Sequence, residues 1–287
     1  MTIQYLGGRR ISGLSSDALV AHLKFNDDVT DSAGSNNGTV TGTTTYVTGK
    51  VHKGISLNGS SYVTLANESN FDFEHSDPFS MTFWIKMDSG SDGGTYYVNA
   101  KQNAGAGQVG LGLLLLSNGE LRFGFDTASG NHRITSSNSV VTVSSGWTHV
   151  SITYDGSSNL SGCKIYINGS LDVTGSSSSI TSTLLNNVAF VWGASSDGSL
   201  DTPATYDDAR IYNRELDQSE VSVIYNGGTG TEGDLKPTNV QLVSRFEETD
   251  TSSIYYKDSI GWKDSHDQEI LNFRYDSFYE QLTGETP

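Results

Sequence analysis

Apolar and polar residues alternate through most of the chain, in runs of about the length of single β-strands. In residues 79–86 every second side chain is apolar, which is the period of a strand with one buried face. Similar runs occupy residues 19–25, 53–65, 96–101, 109–126, 133–143, 146–154, 163–173 and 202–212. Asn-Gly pairs at 58–59, 118–119 and 168–169 predict tight hairpin turns. The pattern therefore predicts many short antiparallel strands, including a hairpin over 53–65.

The segment after the last predicted strand changes to helical spacing. Val221, Ile224 and Tyr225 recur at the interval that places side chains on one face of a helix. Asp217 stands where an N-cap is needed, and Glu220 follows three residues later as its capping-box partner. A Gly-Gly pair then provides a stop signal. The sequence predicts one short helix that closes the strand-rich region.

Composition limits the function classes. The chain has 287 residues, 32 of them Gly and 4 Pro, and its formal net charge is -16. That charge argues against binding to nucleic-acid phosphates, which needs a basic surface. One cysteine, Cys163, excludes an intrachain disulfide and is expected to be a small buried residue. No apolar run is long enough to span a membrane, and the first residues lack the apolar centre of a signal peptide. We therefore expect a virion-surface or extracellular protein released without that route, for example by assembly into a virus particle.

Residues 207–221, DDARIYNRELDQSEV, resemble the closing segment of the laminin-G-like, concanavalin A-like jelly-roll family. Residues 147–155, WTHVSITYD, resemble a strand in the middle of that family's domain. The resemblance implies an all-β fold over 18–228, a two-sheet antiparallel jelly-roll sandwich with a short closing helix and extended flanks. Such a fold hosts lectins, adhesins, enzyme accessory modules and virion proteins, so it does not specify a function by itself.

An oxygen-rich loop follows the first predicted strand. Residues 26–40 contain three aspartates and three asparagines around glycines, a composition that suits Ca²⁺. The resemblance places this loop near the last strand. The predicted ligands of a structural Ca²⁺ are therefore Asp31, Asn37, Asp207 and Asp208. The alternative is an ordinary turn stabilised by its Asx side chains.

Sugar recognition needs an aromatic platform and polar groups that bind hydroxyls. The candidate glycan-binding residues are Tyr96, Tyr97, Trp192 and Tyr206, each of which could instead belong to the core. A glucanase of this fold would need paired carboxylates, and the candidates for these are Asp72, Glu74 and Asp77. They lack the Glu-x-Asp-x-x-Glu strand spacing, so the sequence predicts no catalytic residue and no enzyme. His149 is expected to be a packed strand histidine.

The two flanks differ from the central region. Residues 1–17 form a Gly-rich arm with Arg9 and Arg10, which is either an assembly element or a frayed terminus. Residues 229–287 form a linker and a tail that is rich in aromatic residues, and weak alternation there suggests a small hairpin. KPTNVQLVSRFEETDTSSIYY in the tail and YLGGRRISGLSSD in the arm resemble phage and environmental-virus structural proteins. The predicted assembly residues are Arg9, Arg10, Phe246, Tyr255, Tyr256 and Trp262.

Together these features predict a non-enzymatic virion surface protein, such as a decoration, spike or fibre module, whose jelly roll binds glycans. Its flanks would contact further copies of the chain or other virion proteins, without nucleic-acid binding or membrane insertion. The alternative is a cellular carbohydrate-binding or adhesion module, and a glycoside hydrolase is a third reading.

Overall fold

The computed structural model describes residues 18–102 and 108–232, together with short strands at 5–6, 9–10, 245–247, 254–257 and 262–264. The chain divides into two compact units. The larger unit is Ala18–Glu232, and the smaller unit joins Met1–Asp17 with Gly233–Pro287. No helix in the described residues is long and apolar enough to cross a membrane. Strands are numbered below in chain order.

The larger unit is built from two antiparallel sheets. The eight-stranded sheet has the order β15-β14-β13-β8-β17-β6-β5, and β3 also pairs with β17. Its strands are β3 (Leu19–Leu23), β5 (Thr44–Thr48), β6 (Lys53–Asn58), β8 (Phe79–Met87), β13 (Thr148–Tyr154), β14 (Cys163–Ile167), β15 (Ser170–Thr174) and β17 (Pro203–Tyr212). The seven-stranded sheet has the order β12-β11-β10-β9-β16-β7-β4. Its strands are β4 (Gly38–Thr41), β7 (Tyr62–Leu65), β9 (Tyr96–Gln102), β10 (Gly110–Leu115), β11 (Leu121–Thr127), β12 (Gly130–Thr135) and β16 (Val191–Trp192).

The core is made of the apolar side chains on the facing surfaces of the two sheets, as in other sandwiches. Phe79 and Phe83 of β8 are fully buried, and so are Phe123 and Phe125 of β11 in the other sheet. The ring of Phe79 lies 6.0 Å from each of the two β11 rings, which ties the sheets together. The predicted two-sheet jelly-roll fold is confirmed.

One predicted connection is wrong. Residues 53–65 were expected to form a hairpin, but β6 pairs with β5 and β17, while β7 pairs with β4 and β16 in the other sheet. The Asn58-Gly59 turn therefore carries the chain from one sheet to the other. A hairpin and a crossing between sheets show the same alternation around the turn, because in both of them each strand buries one face in the same core.

The helix α1 (Gln218–Tyr225) closes the jelly roll as predicted. Asp217 Oδ1 accepts a hydrogen bond from the Glu220 amide at 2.9 Å, and Glu220 Oε2 accepts one from the Asp217 amide at 3.0 Å. Tyr225 at the helix end stacks on Trp84 with a centroid distance of 5.6 Å, and His149 packs against the same Trp84 ring. Burial lowers the pKa of His149 to about 3, so this histidine is a neutral packing residue.

The smaller unit contains two small sheets. β1 (Tyr5–Leu6) pairs with β2 (Arg9–Arg10), so the two arginines proposed for assembly form one strand of this pair. β18 (Arg245–Glu247), β19 (Ile254–Lys257) and β20 (Trp262–Asp264) form a three-stranded sheet that contains Phe246, Tyr255, Tyr256 and Trp262. Side chains of this unit lie outside the described residues, and the assembly role of these six residues stays a prediction.

Candidate functional site

The outer face of the seven-stranded sheet carries a floor of small residues. Ala100, Gly112 and Gly124 lie opposite one another on β9, β10 and β11 and therefore share one face. The residues that flank the two glycines belong to the core, so this floor faces outward; they are Leu111, Leu113, Phe123 and Phe125. A Cβ on Gly112 would lie 3.1 Å from Cε1 of Tyr97, and one on Gly124 would lie 3.1 Å from Cγ of Arg133. The two glycines thus let the Tyr97 ring and the Arg133 side chain lie against the sheet.

A hydrogen-bonded network joins the side chains above this floor. Tyr97 Oη donates to Gln102 Oε1 at 3.2 Å, and Gln102 Nε2 donates to Asp126 Oδ2 at 2.5 Å. Arg133 donates to Asp126 Oδ1 from Nε at 3.3 Å and from Nη2 at 3.1 Å. The Asn131 amide, oriented to satisfy both neighbours, donates to Asp126 Oδ1 and accepts from Arg133 Nη2, each at 3.0 Å. Five side chains from three strands therefore form one polar surface.

The electrostatics of this network suit an uncharged polar ligand. The Asp126 carboxylate is almost buried, with its side chain 9% exposed, and the Arg133 guanidinium balances its charge. The Arg133 side chain is 40% exposed and can donate further hydrogen bonds to a ligand. Burial, followed by the negative charge of Asp126, raises the pKa of Tyr97, so its phenol remains a proton donor at neutral pH. Such a surface can bind hydroxyl groups.

The structure separates the four aromatic residues proposed for glycan binding. Tyr97 belongs to the outer-face network. Tyr96 is half-buried, lies opposite the core residue Leu115, and donates to the Ser91 carbonyl at 3.2 Å. These two tyrosines therefore lie in different environments, although they are adjacent in the chain.

Trp192 and Tyr206 are in the wrong place for the role predicted from sequence. They are 1% and 0% exposed, and their ring centroids lie 6.3 Å apart in the core between the sheets. Both side chains point from their strands toward the opposite sheet, so neither can offer a ring face to a ligand in solvent. An aromatic residue in a strand pattern is equally compatible with either face until the pairing of that strand is known.

Sequence reasoning missed Gln102, Asp126, Asn131 and Arg133. Their positions depend on the register of four strands, which no local pattern gives. One signal was present: glycines occupy outward positions between core residues in both 110–115 and 121–127. A glycine in a strand often marks a close approach of another group, and here that group is a side chain of the network.

The four predicted calcium ligands are engaged by the protein itself. Asp31 accepts hydrogen bonds from the amides of His22, Ala33 and Asn36, each at 2.9 Å. Asn37 Oδ1 accepts one from the Asp31 amide at 2.9 Å. These bonds make the loop a turn stabilised by its own Asx side chains, which was the alternative reading.

The pair Asp207 and Asp208 lies at a bulge in β17. Asp208 accepts a hydrogen bond from His22 at 2.7 Å and one from Arg210 at 3.0 Å, and these partners hold its pKa below the ordinary value although burial alone would raise it. Asp207 Oδ2 accepts the amides of Lys50 and Val51, whereas its buried Oδ1 has no partner in the described residues.

Burial, together with the charges of Asp208 and Glu232, raises the pKa of Asp207 to about 8. Within 18–102 and 108–232, no group of three or more acidic, His or Cys residues is arranged to hold a metal ion. One unpaired carboxylate oxygen does not make a calcium cage of six to eight oxygens. The four side chains do not form such a cage in the described residues, and calcium binding at them stays an untested prediction.

The acidic residues upstream of β8 serve structural roles. Asp72 pairs with the buried Lys101 at 2.8 Å, and Glu74 accepts hydrogen bonds from the Leu184 amide and the Thr183 hydroxyl. Although burial acts to raise the pKa of Glu74, these hydrogen bonds lower it below the ordinary value. A glycosidase general acid needs a raised pKa. These carboxylates thus anchor loops.

Among the solved structures with the same fold are domains of bacterial proteins. Domain 4 of AbnA, an extracellular arabinanase from Geobacillus stearothermophilus solved with arabinotriose, is 23% identical with a TM-score of 0.52, over 71% of this chain and 96% of that domain. The binding domain of Paraclostridial Mosquitocidal Protein 1 is 21% identical with a TM-score of 0.59, over 86% of this chain and 67% of that one.

A structure of botulinum neurotoxin type C, whose cell entry is dependent upon interaction with two ganglioside molecules, is 18% identical with a TM-score of 0.54. The match covers 81% of this chain but only 57% of the toxin chain. At these identities the likeness establishes the fold alone. A search of curated proteins found no match.

A family profile described as the concanavalin A-like lectin/glucanases superfamily matches residues 57–222. That range runs from the end of β6 to the middle of α1, and it includes every strand of the outer-face network. The chain belongs to the laminin-G-like branch of the concanavalin A-like lectin/glucanase superfamily.

Proposed function

We propose that this protein is a non-catalytic glycan-binding module that acts through the outer face of its seven-stranded sheet. The observation that carries the proposal is the network of Tyr97, Gln102, Asp126, Asn131 and Arg133 above the glycine floor. Its exposed donors, on Arg133 and Asn131, can bind sugar hydroxyls, while buried Asp126 fixes their orientation. Because the charges of Asp126 and Arg133 balance, the preferred ligand is a neutral saccharide.

The relatives support glycan binding as the function. The arabinanase domain was solved with a bound oligosaccharide, and the neurotoxin depends on gangliosides, which carry sugar head groups. Both have the fold of this chain. The absence of a raised carboxyl pKa at Glu74, and the engagement of Asp72 by Lys101, favour binding over hydrolysis.

An array of immobilised neutral and acidic glycans, probed with the full chain, tests the proposal. We expect retention on a subset of neutral glycans and none on heparin-like polyanions, because the protein carries a formal net charge of -16. Uniform absence of binding across the array would contradict glycan recognition. Release of reducing sugar from any bound glycan would contradict the non-catalytic assignment.

The second part of the proposal is that this module lies on the surface of a virus particle. The resemblance of both flanks to virion proteins motivates it, and the two flanks, Met1–Asp17 and Gly233–Pro287, belong to one compact unit. The flanks would bind further copies of the chain or other virion proteins. Weak glycan sites repeated on a particle would then act together with high avidity.

The mass in solution of the full chain, compared with a shortened chain of residues 18–232, separates this setting from a cellular one. An assembly formed by the full chain and a monomer formed by the shortened one would support the virion role. Two monomers would favour a cellular carbohydrate-binding or adhesion module, in which the flanks are dispensable.

A further inference from the structure

Lys101 of β9 carries an ammonium group that is almost completely removed from water, since its side chain is only 3% exposed. Its Nζ donates hydrogen bonds to Glu68 Oε1 and, at 3.2 Å, to the backbone carbonyl of Asn186. Glu68 begins the short 3₁₀ turn Glu68–Phe71, and Asp72 follows this turn directly. One short segment therefore brings two carboxylates to a buried lysine, an arrangement that the proposed glycan binding does not use.

The two carboxylates meet this lysine in different ways. Glu68 accepts a hydrogen bond from Nζ, as an ordinary ion pair does. Asp72 Oδ1 lies 2.8 Å from Nζ, yet this buried oxygen has no hydrogen-bond partner among the described residues. Because a C–O bond is about 1.2 Å long, Cγ of Asp72 lies at most about 4 Å from Nζ. Reacting atoms that stand about 3–3.5 Å apart are positioned for bond formation, so the amine is close to the range needed to attack the carboxyl carbon.

We infer that Lys101 and Asp72 become joined by a spontaneous isopeptide bond, and that Glu68 transfers the protons in this reaction. Glu68 takes a proton from the Lys101 ammonium, and the free amine attacks Cγ of Asp72. The new Cγ–Nζ bond replaces one C–O bond of the carboxylate. The two protons that the ammonium loses leave with that oxygen as water, and Glu68 returns to its carboxylate form. The reaction needs no other reactant.

Burial favours the linked product. Condensation replaces a buried ammonium and its carboxylate by a neutral amide, which costs less free energy to keep away from water. Asn186 offers a second acceptor, because its Oδ1 lies 3.5 Å from the Lys101 Nζ. However, Asn186 Nδ2 donates to three backbone carbonyls, and these hydrogen bonds would be lost with the ammonia that an attack on this amide releases. The geometry therefore favours Asp72 as the acceptor.

The bond would close residues 72–101 into a covalent loop that contains β8 of one sheet and most of β9 of the other. A cross-link of this kind stabilises a fold because it restricts the unfolded chain. The single cysteine of the chain cannot supply such a link as an intrachain disulfide. The inference concerns the stability of the jelly roll and does not depend on glycan binding.

The test is the intact mass of the denatured full chain, measured by electrospray ionisation after purification and again after prolonged incubation of the folded protein. We expect a mass about 18 Da below that of the sequence, because amide formation releases one water. Tryptic digestion should then give residues 54–86 and 87–122 as one branched peptide, since a linked Lys101 is no longer a cleavage site. Fragmentation of this peptide should place the bond between Lys101 and Asp72.

Two variants and one internal control identify the reacting groups. Glu68→Gln keeps an oxygen for the Lys101 ammonium but cannot take its proton, so this variant should keep the full sequence mass. Asp72→Ala removes the acceptor and should also keep the full mass. Lys53 and Asp27 form an exposed ion pair at 2.6 Å, and their peptides should stay separate.

The wild-type mass alone can overturn the inference, so the test does not require any variant to fold. A wild-type chain that keeps its full mass after incubation, with residues 54–86 released as a free peptide, would exclude the bond. A loss of about 17 Da with a link to Asn186 would overturn Asp72 as the acceptor, because that reaction releases ammonia. A Glu68→Gln protein that loses water as wild type does would overturn the role of Glu68 in proton transfer.

Discussion

Asp207 makes the stability of this protein depend on pH in an unusual direction. Its side chain is fully buried, with Oδ2 bonded to two amides and Oδ1 unpaired. Burial beside Asp208 and Glu232 raises its pKa from an ordinary value of 3.8 to about 8. The folded protein therefore keeps a proton that the unfolded chain has already released, and its stability must fall as the pH rises through this interval.

The size of this loss of stability follows from the one proton that Asp207 binds. A bound proton that only the folded state holds changes the free energy of unfolding by about 1.4 kcal/mol per pH unit. The slope fades near pH 8, where the folded carboxyl itself ionises. Between pH 6.5 and 8.5 the loss of stability due to Asp207 is therefore about 2 kcal/mol.

Asp207→Asn resembles the protonated carboxyl and cannot ionise, so it should remove this loss. The assay is urea denaturation of wild type and variant at pH 6.5 and 8.5 in the presence of EDTA. Taking the difference between the two proteins cancels the titration of His22 and His149, whose pKa values burial lowers. We expect the variant to gain about 2 kcal/mol relative to wild type over this range.

Asp28→Asn is the matched control, because Asp28 is an exposed aspartate bonded to the amide of Thr30. It should follow the wild-type pH dependence. A constant difference in the free energy of unfolding between Asp207→Asn and wild type at both pH values would refute the reasoning. It would mean that Asp207 is ionised in the folded protein across this range.

The core, the cap of α1 and the predicted calcium ligands can each be tested by one change. Trp192→Ala should lower the free energy of unfolding by about 3–5 kcal/mol, as for other buried aromatics; a loss below ~1 kcal/mol in urea denaturation would contradict its burial in the core. Asp217→Ala should cost about 1 kcal/mol through the lost helix cap, and an unchanged midpoint with urea would show that α1 does not need it. If Ca²⁺ binds at Asp31, Asn37, Asp207 and Asp208, EDTA should lower the melting temperature of the protein. An unchanged melting temperature would contradict that prediction.

The fold could be read from sequence because its main signals are local. Alternation in 79–86 fixed which side chains face the core, and Asp217 with Glu220 marked the start of α1. The prediction of a hairpin over 53–65 was wrong because an Asn-Gly turn between two alternating segments can form either a hairpin or a crossing between sheets. Only the distant partners of β6 and β7 distinguish these two outcomes.

The site could be predicted only in part, since it depends on which strands become neighbours. An aromatic ring in a strand indicates Tyr97 as a candidate, but it indicates Trp192 and Tyr206 equally, and these two face the core. Asp126 and Arg133 meet only because β11 and β12 pair in one register. A shift by one residue would have moved each of these side chains to the opposite face of the sheet.

The central claim is that the outer face of the seven-stranded sheet binds a glycan. Its most direct test is a calorimetric titration of the strongest ligand from the array against wild type, Arg133→Ala and Lys86→Ala. Lys86 is an exposed cation on β8 in the other sheet, which makes it a matched control. Because hydrogen bonds to charged groups contribute about 1.5–3 kcal/mol, Arg133→Ala should weaken binding about 10- to 100-fold while Lys86→Ala binds like wild type. Unchanged affinity in a folded Arg133→Ala protein would contradict the claim.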